Sequence, residues 1–220
     1  MKTFSKITFA AFLLASLFAP RLLLAADVVP AVSATPTGQE WAALKIELEQ
    51  MLETDQKHRA LIFKAEGAAR DALWKKQLPI DEKNQQRVDE IIAKFGWPGA
   101  TNVGRKGALA VFLVIQHAPL PVMKRHYAAM NAEMKNGEMQ KENFALIEDR
   151  IRMYEERPQL YGSQIKNDPE TGKRIIWKIE DEANVDKRRA EMGLPPLIEY
   201  AKFFGIDYVP VKLTDNEPKK

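Results

Sequence analysis

Apolar residues recur at helical spacing along most of the chain. Placed on a wheel turned by about 100° per residue, Trp41, Leu44, Leu48, Met51 and Leu52 form one stripe, continued by Ile62 and Phe63. This predicts a first helix from about Gln39 to Trp74. Pro79 and Asp81 announce a second, with Val88, Ile91, Ile92 and Phe95 at helical spacing before Gly96 stops it. Gly96-Trp97-Pro98-Gly99 reads as a turn, after which Asn102 can cap a third helix that is apolar all round from Ala108 to Ile115. A helix with no polar face belongs in the centre of a fold. Pro119 and Pro121 precede a helix bearing Met123, Tyr127, Met130 and Met134, and Asn136-Gly137 separates it from one around Phe144 to Tyr154.

Beyond Pro158 the pattern changes. Asn167-Asp168-Pro169 and Thr171-Gly172 mark a turn between Tyr161–Ile165 and Arg174–Ile179, the one hairpin candidate. Two short helices follow, near Asn184–Met192 and Pro196–Phe204. The expected fold is therefore mainly α: a compact helical domain of about six to eight helices with one small β-hairpin near residues 161–179.

Several polar residues fall inside the apolar stripes. Asp55 and Arg59 lie within the stripe of the first helix, four apart, a spacing that lets them pair. Asn84 begins the Val88/Ile91/Phe95 stripe, and the apolar third helix ends in Gln116-His117. Arg150 sits in the middle of the arc made by Phe144, Leu146, Ile147, Ile151, Met153 and Tyr154, with Asp149 at its edge. Arg188 and Arg189 flank the line from Val185 to Met192. Local rules fail most often at functional or strained sites. The group leans cationic, and arginine forks suit planar anions, so the residues point to a carboxylate- or phosphate-bearing ligand in a polar interhelical pocket. The competing reading is a set of self-contained salt-bridge networks with purely structural roles, in a scaffold or interaction module. In that case the soft stripe Met123, Tyr127, Met130 and Met134 is either core or a surface for a partner helix.

The N-terminus bears on compartment. Lys2 and Lys6 precede an apolar run from Ile7 to Ala19, and small residues follow at Ala25-Ala26. This is the layout of a secretory signal peptide over residues 1–26, with an uncleaved anchor as the alternative. Residues 27–38 read as a disordered linker, 39–206 as a single helical domain and 207–220 as a tail, so the protein is expected to be exported, periplasmic or secreted, without stable membrane insertion after cleavage. The full chain carries 33 basic and 30 acidic residues. Lys2, Lys6 and Arg21 would leave with the signal and no acidic residue would, so the mature protein is balanced and shows no basic patch for nucleic acid. The chain has no cysteine, which removes disulfides, thiol nucleophiles and thiolate metal sites together. His58, His117 and His126 make no zincin spacing, and the glycines at 96, 99, 104 and 107 fit neither Walker nor dinucleotide patterns. No metal and no cofactor is expected.

Two chemistries remain. A nucleophilic hydrolase can be assembled on paper from Ser163, His117 and Asp149, although the nucleophile-elbow sequence is absent. Alternatively His117 acts as a general base on water while Arg59 and Arg150 hold an anion. Gln159, Tyr161 and Gln164, on a segment fixed by Pro158, would offer an amide and a hydroxyl to a ligand, with Gly162 allowing an unusual backbone angle.

The motifs form a series: Asp55-Gln56-x-x-Arg59, Gly96-Trp97-Pro98, Val103-Gly104, Gln116-His117-Ala118, Asp149-Arg150, Pro158-Gln159-x-Tyr161-Gly162-Ser163-Gln164, Arg188-Arg189 and Gly193-Leu194. From about Leu44 to Tyr200 the chain resembles a bacterial family known only as a domain of unknown function. The Pro-Gln-x-Tyr-Gly segment with Gln164 is the most specific element of that resemblance. The chain departs from the pattern at Ser163, where the family often has Thr, and at Pro119, where it tends to carry an acidic residue. The resemblance implies no activity.

Overall fold

The computed structural model describes residues 36–211. The expected signal peptide, most of the linker and most of the C-terminal tail lie outside the described residues. Seven α-helices and one two-stranded antiparallel hairpin are present among them, so the protein is mainly α. The region expected to be one domain spans two compact units, Met1–Met139 and Gln140–Lys220.

Unit 1 contains α1 (Gly38–Lys64), α2 (Gly67–Phe95), α3 (Ala100–His117) and α4 (Leu120–Lys135). Thr37 starts α1 through a capping box: its hydroxyl accepts from the Glu40 N–H, and the Glu40 carboxylate accepts from the Thr37 N–H. The buried residues of α1 are Leu44, Leu48, Leu52, Asp55, Arg59 and Ile62, so the polar pair does occupy the core stripe. Phe63, expected to continue that stripe, is exposed instead.

The boundary between the first two helices is not where the pattern placed it. The chain breaks at Ala65–Glu66, and α2 then runs unbroken through Pro79. An internal proline removes one helix hydrogen bond and crowds the preceding turn, at a cost of about 3 kcal/mol. Gln77 and Asp81, on either side of Pro79, are both tied to α1 by side-chain hydrogen bonds that hold the helix together there. The break itself falls where Gly67 adopts a left-handed φ of 51°.

Helix α3 packs along α1 and is buried at Val103, Gly107, Ala110, Val111, Phe112, Leu113, Ile115 and Gln116, as its all-round apolarity predicts. It is kinked at Gly104, where φ is 71° and ψ 166°, a conformation only glycine adopts cheaply. The helix begins at Ala100, so Asn102 lies inside it and does not cap it. The Glu138 carboxylate takes over at that end by accepting from the N–H and hydroxyl of Thr101. On α4, Met123 and Met130 are fully buried and Tyr127 and Met134 half-buried, so the soft stripe is largely core.

Unit 2 contains α5 (Lys141–Tyr154), strands β1 (Ile165–Asn167) and β2 (Arg174–Ile176), α6 (Val185–Glu191) and α7 (Leu197–Phe203). The strands pair with Ile165 opposite Ile176 and Asn167 opposite Arg174. Asp168 shapes the turn by accepting from the N–H of Glu170 and Thr171. The first strand starts later than the pattern suggested because Tyr161–Gln164 belongs to a loop held by side chains. Helix α5 is the centre of this unit, and every residue from Asn143 to Ile151 is buried. Among the described residues no helix is long and apolar enough to cross a membrane.

Candidate functional site

The candidate residues divide between the two units. Asp55, Arg59, Asn84, Gln116 and His117 lie in unit 1; Asp149, Arg150, Gln159, Tyr161, Ser163, Gln164, Arg188 and Arg189 lie in unit 2. In unit 1, Asn84 is half-buried on α2, Gln116 is fully buried near the end of α3, and half-buried His117 is the last residue of that helix.

Asp55 and Arg59 form the expected pair, with Arg59 Nε 3.0 and 2.9 Å from the two carboxylate oxygens. The pair is part of a larger cluster. Arg59 Nη2 also donates to Asp81, and Gln77 Nε2 donates to Asp55 at 2.9 Å and to Asp81 at 2.7 Å. His58 Nδ1 lies 2.7 Å from Gln77 Oε1. Burial pushes the Asp81 carboxyl above its ordinary value, while Arg59 and Gln77 pull it back. Gln77, Asp81 and His58 were not singled out as site residues from the sequence. The signal that points to them is the four-residue spacing of Gln77 and Asp81 across Pro79, which puts both on one face of a continuous helix. A second pairing joins α2 to α4: the Asp89 carboxylate is 2.8 Å from His126 Nε2 and 2.8 Å from Arg125 Nη2.

In unit 2 the candidates come together around one segment, Pro158 to Gln164. Asp149 is fully buried, and its carboxylate accepts from the backbone N–H of Leu160 at 2.7 Å, Tyr161 at 3.0 Å and Ser163 at 2.9 Å. Burial pushes this carboxyl up, and the donors of Ser163, Tyr161 and Leu160 pull it down. The carbonyls are held by other side chains. Arg152 Nη1 donates to the Pro158 oxygen, Arg188 Nε to that of Leu160, Arg189 Nη1 to that of Tyr161, and the Tyr200 hydroxyl to that of Ser163. Gln159 closes the loop on itself, its amide oxygen accepting from the Gln164 N–H at 2.8 Å and its nitrogen donating to the Gln164 carbonyl at 3.1 Å. Arg150 Nε donates to Gln164 Oε1 at 3.2 Å. Gly162, at a left-handed φ of 69°, turns the chain under Leu197, where a Cβ would come within 2.8 Å of that side chain.

Thus Asp149, Gln159, Gln164, Arg188 and Arg189 build a loop from side chains where regular secondary structure is absent. These hydrogen bonds fix the loop conformation, although the buried Arg189 Nη2 has no hydrogen-bond partner among the described residues. The Ser163 hydroxyl accepts from Gln164 Nε2 at 3.0 Å and also bonds the Asp149 carboxylate. Arg189 is fully buried, stacks on Tyr200 at 5.0 Å, and has no carboxylate in ion-pair contact among the described residues.

Tyr161 is the exception in the loop. Its backbone is fixed at both ends, yet its side chain is half-buried, and its hydroxyl has no hydrogen-bond partner among the described residues. Burial, then the Asp149 and Glu148 carboxylates, push its phenol above the ordinary value, so it stays protonated and can donate. Around it Glu148 and Arg152 pair at 2.6 Å, and Arg152 reaches Glu180 at 2.7 Å. Among the described residues no group of three or more His, Asp or Glu is arranged to hold a metal ion.

No curated protein and no solved structure matches the chain. A family model described only as a family of unknown function, DUF6624, matches residues 42–212, a span that includes every candidate residue of both units. The chain belongs to the DUF6624 family.

Proposed function

We propose that the protein is exported and binds a small anionic or peptide-like ligand, with Tyr161 as the group that meets it. Export rests on the basic, apolar and small-residue segments at the N-terminus. Binding rests on one observation: a loop whose backbone is held by Asp149, Arg188 and Arg189 carries a phenol with no hydrogen-bond partner among the described residues. A rigid loop that presents an unused donor is pre-organised for a ligand, because little entropy remains to be lost on binding. A phenol kept protonated donates to carboxylate, phosphate or peptide carbonyl oxygens, which sets the ligand class.

Binding is favoured over nucleophilic hydrolysis. The Asp149 carboxylate is occupied by backbone donors, and the Ser163 hydroxyl is engaged with Gln164 and Asp149. Neither is arranged as an activated nucleophile or as the support of a base.

The test is a thermal-shift screen of the mature chain with acetate, citrate, inorganic phosphate and dialanine, alongside Tyr161→Phe. The variant should melt with the wild type, within about 0.5 kcal/mol, because it loses a hydroxyl that bonds nothing. At least one probe should stabilise the wild type and not the variant. Equal shifts in both proteins, or none in either, would refute the proposal.

A further inference from the structure

Arg189 is a fully buried cation that its surroundings leave one bond short. Its guanidinium stacks on the Tyr200 ring at 5.0 Å, Nε donates to the Pro195 carbonyl at 2.6 Å, and Nη1 donates to that of Tyr161 at 2.5 Å. The buried Nη2 has no hydrogen-bond partner among the described residues. Arg59, the buried arginine of α1, is paired with two carboxylates, Asp55 and Asp81; Arg189 has none in ion-pair contact among the described residues. A desolvated guanidinium with an unused N–H and no counter-charge costs more than a neutral orphan donor does.

The nearby acidic side chains do not make up the deficit. Asp149 spends its carboxylate on the N–H groups of Leu160, Tyr161 and Ser163, and Asp186, which is exposed, accepts from the Leu197 N–H. Burial pulls the Arg189 pKa below its ordinary value, and Asp186 and Asp149 oppose this without reversing it. A second unused donor stands in the same neighbourhood. Tyr208, on the segment after α7, is close enough to Arg189 for each to shift the other's titration. Its hydroxyl is buried without a hydrogen-bond partner among the described residues, the Glu182 carboxylate standing near it without completing a bond. Burial, then Glu182, push this phenol up, so it is protonated and can donate.

These donors set the class of ligand. A guanidinium N–H can only donate, so its partner is an acceptor, and the uncompensated positive charge makes that acceptor an anion. Two donors cannot serve all the oxygens of sulfate or phosphate, and the rest would be stranded away from water. A monatomic anion carries no such demand. We propose that unit 2 binds one halide ion, chloride in practice, between Arg189 Nη2 and the Tyr208 hydroxyl. The ion neutralises the guanidinium that grips the Pro195 and Tyr161 carbonyls, so chloride stabilises the 158–164 loop. The Tyr161 hydroxyl takes no part, and either proposal can fail alone.

Melting of the protein at fixed ionic strength, with gluconate exchanged for chloride, reads the binding. The melting temperature should rise and level off, by about 3–5 °C at about ten times the dissociation constant, and bromide should act alike. A chloride-independent melt overturns the proposal. Tyr208→Phe should need about tenfold more chloride for the same shift, since it loses one hydrogen bond to an ion. An unchanged chloride midpoint in that variant overturns the proposal. Tyr161→Phe should respond as the wild type does; loss of its response would move the ion to the other site and overturn the assignment. Arg189→Met should lose the response, and its retention is equally fatal. Where that variant does not fold, anomalous diffraction from crystals grown in sodium bromide decides. Bromide should lie in bonding contact with Arg189 Nη2 and the Tyr208 hydroxyl, and a water or a protein atom in that place overturns the proposal.

Discussion

Replacing Asp149 by Asn tests whether the buried carboxylate builds the 158–164 loop. The change is nearly isosteric, so packing around α5 is retained and hydrogen bonding is isolated. Asn keeps one acceptor oxygen, enough for Leu160 and Tyr161, but places an NH2 group where Asp149 Oδ2 now accepts from Ser163 N–H at 2.9 Å. Donor then faces donor in a site with no solvent access. A buried N–H left without a partner costs about 1–3 kcal/mol, and the charge-assisted bonds that are lost or weakened are worth about 1.5–3 kcal/mol each. Removing a carboxylate whose ionised form is disfavoured by burial returns part of this. The net loss should be about 2–4 kcal/mol. In urea, at a slope of about 2 kcal/mol per molar, the midpoint followed by circular dichroism at pH 7 should fall by about 1–2 M. A fall below about 0.3 M, or a rise, would refute the view that Asp149 organises the loop.

Further outcomes follow from the same geometry. Gly162→Ala should cost at least about 2 kcal/mol by urea unfolding, because the new methyl combines a left-handed φ with a clash on Leu197. Asp81 has its folded pKa raised above the unfolded value, so its contribution is fully present below the unfolded pKa and is lost as pH rises through the folded one. The stability of Asp81→Asn relative to wild type should therefore improve as pH is raised from 4 to 7, and a difference independent of pH would count against the assignment. Asp89 shows the opposite sign: burial raises its carboxyl, but His126 and Arg125 together bring it below its ordinary value. Its contribution is present above the unfolded value and lost as pH falls through the folded one, so the penalty of Asp89→Asn should shrink in melts run below pH 4.

The helices were legible because their apolar spacing is regular, and even the placement of Asp55 and Arg59 in the core of α1 could be read from the wheel. The Ala65–Glu66 break was missed because proline is a stronger signal than a lone glycine, and the helix-stopping effect of Pro79 was overridden by the side-chain ties of Gln77 and Asp81. In unit 2 the wheel put Arg150 in the middle of an apolar arc and Asp149 at its edge, and both are buried; of Arg188 and Arg189, which flank the next stripe, Arg189 is buried and Arg188 half-buried. It could not show what they bond. The partners of Asp149, Arg188 and Arg189 are backbone groups of the 158–164 loop, and a backbone N–H or carbonyl carries no residue-specific mark in a sequence. Residues recognisable as out of place can equally serve a ligand or a loop, and only the hydrogen-bond geometry separates the two.

The loop from Pro158 to Gln164 also reverses a usual expectation about amide exchange. Loop amides ordinarily exchange with solvent by small local openings, at little free-energy cost. Here the N–H groups of Leu160, Tyr161 and Ser163 end on a fully buried carboxylate of α5, while arginines of α6 grip the neighbouring carbonyls. No one of them can open without disturbing both helices. Their deuterium uptake should therefore be as slow as that of the α5 backbone itself, and the segment should form late in folding, only once α5 and α6 have both docked.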